Sequence, residues 1–369
     1  NKILLILLKF NMSRVFVDTP QSLFTPCEPS KEDKVGCDFA NAMGILSLYF
    51  LPITILLMLF MNPYTVYYFL WFKRLSLSRH GIYMGILAIS DLFCLIIIGG
   101  LWFIPAKGVP YATNGTLGFF TYNMGESICK THRFFVLFSS ALACNIFLLA
   151  VLDRCLAIYL PLSYGRLSKS TGIRIAIGTV CITFFMAVPF IFLMGYNEAN
   201  GVTFCWLIDG NTGWQIYSTI FFNCGTVQSF IIIGVNVALI MKLYQVRSYR
   251  KTLLADNSKS TSQTKSSLSS KEIRMTVIMV IMSSIYCICS SFQIIGVIFG
   301  FYSSYIKIDR TIQSLGFNLG DIGYHLFFWQ MLTNFFVYIS RIPEFKTPLL
   351  KLFKITLSSP SNNVEITDI

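Results

Sequence analysis

Seven long apolar stretches, separated by shorter polar or charged segments, dominate the pattern along the chain. A helix needs about 20 mostly apolar residues to cross a bilayer, and each stretch is long enough. The pattern therefore predicts an all-α membrane protein, a seven-transmembrane helix bundle. The predicted spans one to seven are 42–70, 81–104, 130–158, 173–195, 214–243, 273–301 and 311–340.

The spans divide the chain into an N-terminal tail, a bundle and a C-terminal segment. A short amphipathic stretch at 343–353 opens the last part and predicts an eighth helix on the membrane surface, with proline at its start. The loop 247–271, rich in Ser, Thr and Lys, is predicted to be disordered. The three parts are 1–41, 42–340 and 341–369.

The distribution of charge predicts the orientation. With the N-terminus outside the cell, the cytoplasmic segments hold 19 of the 29 basic and 6 of the 17 acidic residues, a net charge of +13. The rest of the chain has a net charge of −1. The excess of basic residues on the cytoplasmic side predicts the N-terminus outside and the C-terminus inside.

Composition narrows the functional classes. The chain is 54% hydrophobic and 12% charged, whereas a soluble domain carries about 25% charged residues. Its net charge of +12 follows the membrane topology, so it does not indicate nucleic-acid binding. No nucleophile–base pair, metal-ligand cluster or phosphate-binding glycine loop stands out in the sequence, so we expect neither an enzyme nor a bound metal or cofactor.

Two glycosylation sequons agree with this orientation. Asn11 lies in the N-terminal tail, and Asn114 lies between spans two and three. Both fall on the predicted extracellular side, where N-glycosylation occurs.

Asp91 is an ionisable residue at membrane depth in span two, and Asn62 is a polar residue in span one. Ionisable groups inside a bilayer are costly and mark functional sites. Asp91 could be protonated and hydrogen-bonded to a neighbouring helix, or it could bind sodium together with Asn62. Both interpretations stay open.

Asp153 and Arg154 lie at the predicted cytoplasmic end of span three, and Glu272 opens span six on the same side. An arginine can exchange carboxylate partners because its guanidinium forms bidentate hydrogen bonds. A bridge from Arg154 to Glu272 would clamp spans three and six, and its rupture would release span six. The alternative is an arginine that extends to the lipid headgroups.

Cys129 opens span three, and Cys205 lies between spans four and five. Both are predicted to be extracellular, where disulfides persist. A disulfide between them would tie the loop over the mouth of the bundle.

These residues resemble the rhodopsin-like (class A) G-protein-coupled receptors over about 42–353. Residues 87–92 match the family's LAxxDL pattern, and Cys129 precedes Arg154 by the family interval of 25 residues. Asp153-Arg154-Cys155 stands in place of DRY, and 334–338 stands in place of NPxxY. The resemblance implies that Asp153, Arg154, Glu272, Asn334 and Tyr338 form the activation and G-protein-coupling switch.

Several positions depart from the family pattern. A tyrosine is lost from DRY, a proline from NPxxY, a tryptophan from span six, a proline and a tyrosine from span five, and a polar sodium ligand from span three. The residues found there are Cys155, Phe335, Ser290, Gln228, Asn236 and Ala143. The chain is therefore a divergent member, and activation need not use the family's tryptophan rotamer switch.

The resemblance also narrows the ligand. Val136 stands where aminergic receptors carry an aspartate, and Phe328 stands where opsins carry the retinal lysine. A peptide is favoured, because the tail and covered mouth resemble neuropeptide receptors. The residues expected to line the ligand pocket are His132, Arg133, Val136, Gln293, His325 and Phe328.

The predicted function is that of a multi-pass plasma-membrane receptor that binds an extracellular ligand and activates a heterotrimeric G protein. Arrestin is a further expected partner. The C-terminal residues Thr367-Asp368-Ile369 fit a ligand of PDZ domains. Three alternatives remain: a scaffold or decoy that binds ligand without coupling, a receptor for a lipid or small molecule, and a channel or transporter.

Overall fold

The structure, a computed structural model, describes residues 34–71, 79–119, 121, 124–199, 202–207, 217, 224–256, 270–305 and 310–352. Long helices and one hairpin form this part of the chain. We number the long helices after the predicted spans. Helix one comprises Lys34–Ile45, Leu46–Phe50, Leu51–Val66 and Tyr67–Trp71; helix two Arg79–Cys94, Leu95–Gly108 and Val109–Ala112; helix three Glu126–Tyr159; helix four Lys169–Ala187 and Pro189–Leu193; helix five Cys224–Asp256; helix six Ser270–Tyr305; helix seven Arg310–Arg341; short helices are Pro161–Arg166 and Pro343–Leu352.

Helices one to six each contain a described stretch long and apolar enough to cross a membrane. Helix seven is more polar, and it packs closely against helix six. The buried faces of the helices form a large hydrophobic core and a second, smaller cluster towards Cys129 and Cys205. Many of the remaining large apolar side chains are exposed. Exposed apolar surface of this extent suits a protein surrounded by lipid, as the sequence predicts.

Helix two is longer than predicted. The sequence pattern placed its end at residue 104, but the helix continues to Ala112. Leu95–Gly108 is π-helical and contains Pro105. A π-helix bonds each amide to a carbonyl five residues back, and this segment accommodates the proline without ending. The extension brings Lys107 into the bundle, where it is 4% exposed.

The segment between helices four and five forms an antiparallel hairpin that the sequence analysis missed. Strand β1 is Met194–Ala199 and strand β2 is Val202–Leu207, with Tyr196 opposite Cys205. The predicted end of span four at residue 195 is therefore wrong, because the strand begins at Met194. The Asn-Gly pair at 200–201 is typical of a two-residue hairpin turn and could have predicted the hairpin.

The predicted disorder of 247–271 is wrong at both edges. Helix five continues to Asp256, and helix six begins at Ser270. Extending an existing helix adds one hydrogen bond per residue without a new nucleus, so a polar composition alone does not end it. Residues 257–269 lie outside the described part.

The bundle has two ends, which we name by their landmarks. The disulfide end carries the hairpin and Cys129, and the arginine end carries Asp153 and Arg154 at the other end of helix three. Helix three contacts helices two, four, five and six, so it holds both landmarks in the centre of the bundle.

Candidate functional site

A cluster of buried charges surrounds Arg154 at the arginine end. The Arg154 guanidinium lies 2.8 Å from Asp153 Oδ2, and both residues are less than 5% exposed. The Tyr164 hydroxyl accepts a hydrogen bond from Arg154 and donates one of 2.9 Å to Asp153 Oδ2. Tyr164 belongs to the short helix after helix three. The short helix is thus attached through Tyr164 to both Asp153 and Arg154.

Arg79 of helix two completes the cluster. Its guanidinium lies 3.7 Å from Asp153 Oδ1 and stacks over the Tyr164 ring, with 3.9 Å between the guanidinium carbon and the ring centre. Gly172 of helix four leaves room for this side chain, because a Cβ there would lie 2.8 Å from Arg79 Cγ. The sequence analysis did not identify Arg79, because the sequence shows only that it is a basic residue next to a predicted span.

Burial raises the pKa of the Tyr164 hydroxyl to about 12. The desolvation that accompanies burial disfavours the phenolate. The nearby Arg154 charge lowers this pKa, but the effect is smaller than that of burial. Tyr164 is therefore protonated at physiological pH and can donate to Asp153.

The side chain of Glu272 lies outside the described residues, so the predicted clamp with Arg154 stays a prediction. Helix six has another ionic contact at this end, where Arg274 lies 3.9 Å from Glu344 of the short helix after helix seven. Both side chains of that pair are about half exposed. Exposed ion pairs contribute about 0–1 kcal/mol, so this contact is a weak restraint on helix six.

Asp91 lies in the middle of the bundle beside helix seven. Its Oδ2 accepts a hydrogen bond of 3.3 Å from the Asn334 amide, whose oxygen accepts one of 3.0 Å from Gln330. Asn62 donates to the Ala88 carbonyl and lines the same small cavity as Asp91 and Asn334. The cavity thus brings together three residues that the sequence analysis singled out.

Tyr338, one turn below Asn334, donates a hydrogen bond of 3.0 Å to the Met84 sulfur of helix two. Its ring packs against Phe69 and against Phe345 of the short last helix. Asn334 and Tyr338, the two residues of helix seven that the sequence predicts to belong to the activation switch, therefore both contact helix two.

Polar contacts occupy three of the positions where the sequence departs from the family pattern, namely Gln228, Asn236 and Ser290. Ser229 donates to Ser290 at 3.2 Å, and Ser283 donates to Asn236 at 2.6 Å. These two bonds join helices five and six. Gln228 donates to Asn145 of helix three, whose amide donates to Thr183 of helix four at 2.8 Å. Hydrogen bonds between helices commonly contribute to helix association in membrane proteins.

Cys129 and Cys205 form a disulfide at the disulfide end, with 5.7 Å between their Cα atoms. It attaches strand β2 to the first turn of helix three. Asn114 lies in an exposed turn with φ 48°, a left-handed conformation that asparagine tolerates. Asn11 lies outside the described residues.

The expected pocket residues lie towards the disulfide end. The Arg133 guanidinium lies over the Trp102 ring, and the neighbouring His132 is buried. Phe103 stacks on Trp102 and also contacts the His325 and Phe328 rings.

Helices six and seven lie close together beside Gln293. A Cβ at Gly323 would lie 2.5 Å from the Gln293 Cα. Val136 and Phe328 belong to the common core, where they are 4% and 1% exposed. The structure therefore places Val136 and Phe328 as packing residues.

Comparison with known families gives a match over most of the chain. The sequence profile described as 7 transmembrane receptor (rhodopsin family) matches residues 61–320. This range covers more than half of the chain, from the last third of helix one to the first third of helix seven. A search of curated proteins finds no match.

Proposed function

Because the chain belongs to the rhodopsin family of seven-transmembrane receptors, we propose that it binds an extracellular ligand at the disulfide end and activates a heterotrimeric G protein at the arginine end. The observation that carries the proposal is the retention of Arg154 by Asp153 and Tyr164 in a buried cluster. A charge held in this way is a switch that a conformational change can release.

The proposed resting state keeps Arg154 inside the bundle. Removing one partner from a buried ion pair costs about 3–5 kcal/mol, because the remaining charge loses its compensation. Ligand binding and the G protein would together supply this energy by binding more tightly to the released state. The bridge from Arg154 to Glu272 is part of the same proposal and would restrain helix six.

The proposed topology places the N-terminus and the disulfide end outside the cell. The basic excess of the opposite segments and the exposed sequon at Asn114 support it. In this arrangement the short helix Pro343–Leu352 lies on the cytoplasmic surface as an eighth helix, and the protein functions in the plasma membrane. Arrestin and a PDZ-domain protein are the further proposed partners.

A peptide is the proposed ligand, as in neuropeptide receptors. The support is the disulfide-tethered hairpin at the mouth of the bundle, together with Val136 and Phe328 in the core, which offer no charge for an amine or a Schiff base. A lipid or small molecule is the second candidate class. The packed aromatic rings of Trp102, Phe103 and Phe328 favour it, because they make this part of the bundle apolar.

The test is guanine-nucleotide exchange in cells that display the receptor, with a panel of G proteins and a peptide library. We expect a peptide to drive exchange in the parent but not in Arg154→Ala. Arg174→Ala is the matched control, because Arg174 is an exposed arginine at the same end. Exchange that persists in Arg154→Ala would refute the assigned role of Arg154.

The decoy and channel alternatives predict other outcomes of the same experiment. A peptide that binds at the surface without nucleotide exchange by any G protein would favour the scaffold or decoy. Ion current that persists when G proteins are blocked would favour a channel or transporter, which needs a polar path through the bundle.

A further inference from the structure

Lys107 and Asp321 form an ion pair between helices two and seven towards the disulfide end. The Lys107 Nζ lies 2.7 Å from Asp321 Oδ2, and the side chains are 5% and 16% exposed. Buried charges are costly unless they are paired, and a pair between two helices holds those helices together. Neither residue figures among the predicted site residues.

A second polar contact secures helix seven one turn further into the bundle. With a neutral His325 ring, Nδ1–H donates to the Asp321 carbonyl at 3.0 Å, and Nε2 accepts from the Ser47 hydroxyl at 3.2 Å. Hydrogen-bond partners of this kind determine the tautomer of a histidine. Ser47 belongs to helix one, so helix seven is attached to helix one through His325 and to helix two through Lys107.

Aromatic rings connect the ion pair to the expected ligand pocket. Phe103, on the same helical segment as Lys107, packs against His325 with 4.9 Å between the ring centres. Trp102 stacks on Phe103 and lies under the Arg133 guanidinium, 5.4 Å from its carbon. A ligand in contact with Arg133 and His325 would therefore lie next to the Lys107–Asp321 pair.

We propose that the Lys107–Asp321 pair is a gate between helices two and seven, and that an acidic group of the ligand opens it by replacing Asp321 on Lys107. The proposal rests on the receptor function above and deepens it by naming the chemistry of the ligand. In a peptide this group is a C-terminal carboxylate or an acidic side chain.

The unequal burial of the two partners is the reason for an acidic group. Asp321 is the more exposed partner and can turn towards water when the pair separates. Lys107 is nearly enclosed, and a buried ammonium is more stable beside an anion than beside a second cation. The gate therefore opens most readily when another anion takes the place of Asp321, and a cationic ligand would be repelled by Lys107.

The experiment measures access to a cysteine behind the gate. Ser47→Cys is the reporter, and Phe103→Cys is a second reporter if the first fails to reach the cell surface. Two membrane-impermeant thiol reagents, the anionic sulfonatoethyl and the cationic trimethylammonioethyl methanethiosulfonate, are applied from outside. The receptor without the introduced cysteine gives the background from its natural thiols.

We expect slow modification in the reporter alone, with the anionic reagent faster than the cationic one after each rate is divided by the rate of that reagent with a simple thiol in solution. Asp321→Asn should raise the anionic rate about tenfold, which corresponds to a shift of 1.4 kcal/mol. Lys107→Met should instead favour the cationic reagent, which Asp321 attracts. The exchanged pair Lys107→Asp with Asp321→Lys should restore slow modification.

The matched controls are Lys130→Met and Glu126→Gln, which remove an exposed ion pair of 2.6 Å at the same end. They should leave both rates unchanged. Rates that Asp321→Asn and Lys107→Met fail to alter would overturn the gate. A faster reaction with the cationic reagent in the reporter alone, after the same division by the rate with a simple thiol, would overturn the acidic ligand. These rates need no G protein, so failure of coupling would not affect them.

Discussion

The Tyr164 hydroxyl lies 2.9 Å from Asp153 Oδ2 and also contacts Arg154. It therefore attaches the short helix after helix three to the Asp–Arg pair at the end of that helix. Movement of this segment and release of Arg154 are thus coupled by a single side chain.

Tyr164→Phe should raise basal nucleotide exchange. The substitution removes the hydroxyl that both Asp153 and Arg154 use, but it keeps the ring under Arg79. A hydrogen bond to a charged group contributes about 1.5–3 kcal/mol, so we expect a rise of about tenfold. Tyr159→Phe is the control, because its hydroxyl reaches only the Ala238 carbonyl on an exposed surface. Equal basal exchange in the two variants would contradict the coupling.

Gly172→Ala should destabilise the bundle by about 1–3 kcal/mol, because the added methyl group overlaps Arg79. The shift of Arg79 should also weaken its contact with Asp153 and raise basal exchange. Thermal unfolding in detergent measures the first effect. Gly178→Ala, on the same helix with nothing within 4 Å of its Cβ, should be neutral or stabilising. The prediction fails if both alanines have the same effect.

Gly323→Ala should separate helices six and seven. A Cβ at position 323 would lie 2.5 Å from the backbone of Gln293. A side chain could relieve such a contact by changing its rotamer, but a helix backbone cannot. We expect a loss of stability of about 1–3 kcal/mol together with altered ligand binding. Gly320→Ala lies one turn earlier, where the nearest atom is 3.9 Å away, and should be tolerated. An intact melting temperature in Gly323→Ala would show that the helices can repack.

Asn334→Ala should weaken the contact between helices two and seven. It removes the amide that donates to Asp91 and leaves Gln330 without its acceptor. Loss of a partner by buried polar groups costs about 1–3 kcal/mol each. Ser340→Ala is the control, because that exposed hydroxyl bonds only within its own helix. Thermal unfolding of the two variants, compared at equal surface expression, decides the prediction.

Cys129→Ser should lower stability by about 4–5 kcal/mol, the loop-entropy value for a bridge across 76 residues. Cys205→Ser should match it, and the double variant should be no worse than either single one. Cys181→Ser, at an exposed free cysteine, should change nothing. Additive losses in the double variant would mean that the two sulfurs act separately.

The apolar pattern predicted the helices well, because each one must satisfy its own backbone in lipid. It predicted their ends less well. Helix two continues beyond its predicted end at residue 104 because its π-helical segment accommodates Pro105. Helix five continues beyond its predicted end at residue 243 and reaches Asp256. The hairpin at Met194–Leu207 was missed because two six-residue strands carry a weaker periodic signal than a span.

The candidate site also contains residues that the sequence identified and residues that it did not. Sequence motifs pointed to Asp153, Arg154, Asp91 and Asn334, whose spacing along single helices is local information. Motifs did not point to Arg79, Lys107 or Asp321, each of which has its partner on another helix.

By itself, the sequence determined that this chain crosses a membrane repeatedly and that a few polar residues lie at membrane depth. Only the tertiary structure decided which of those residues meet. The requirement that a helix in lipid be apolar and satisfy its own backbone hydrogen bonds applies to each helix separately, so the residues of that helix alone reveal it. The pairing of Lys107 with Asp321, or of Arg79 with Asp153, depends on how helices distant in sequence pack, and packing is a property of the whole bundle.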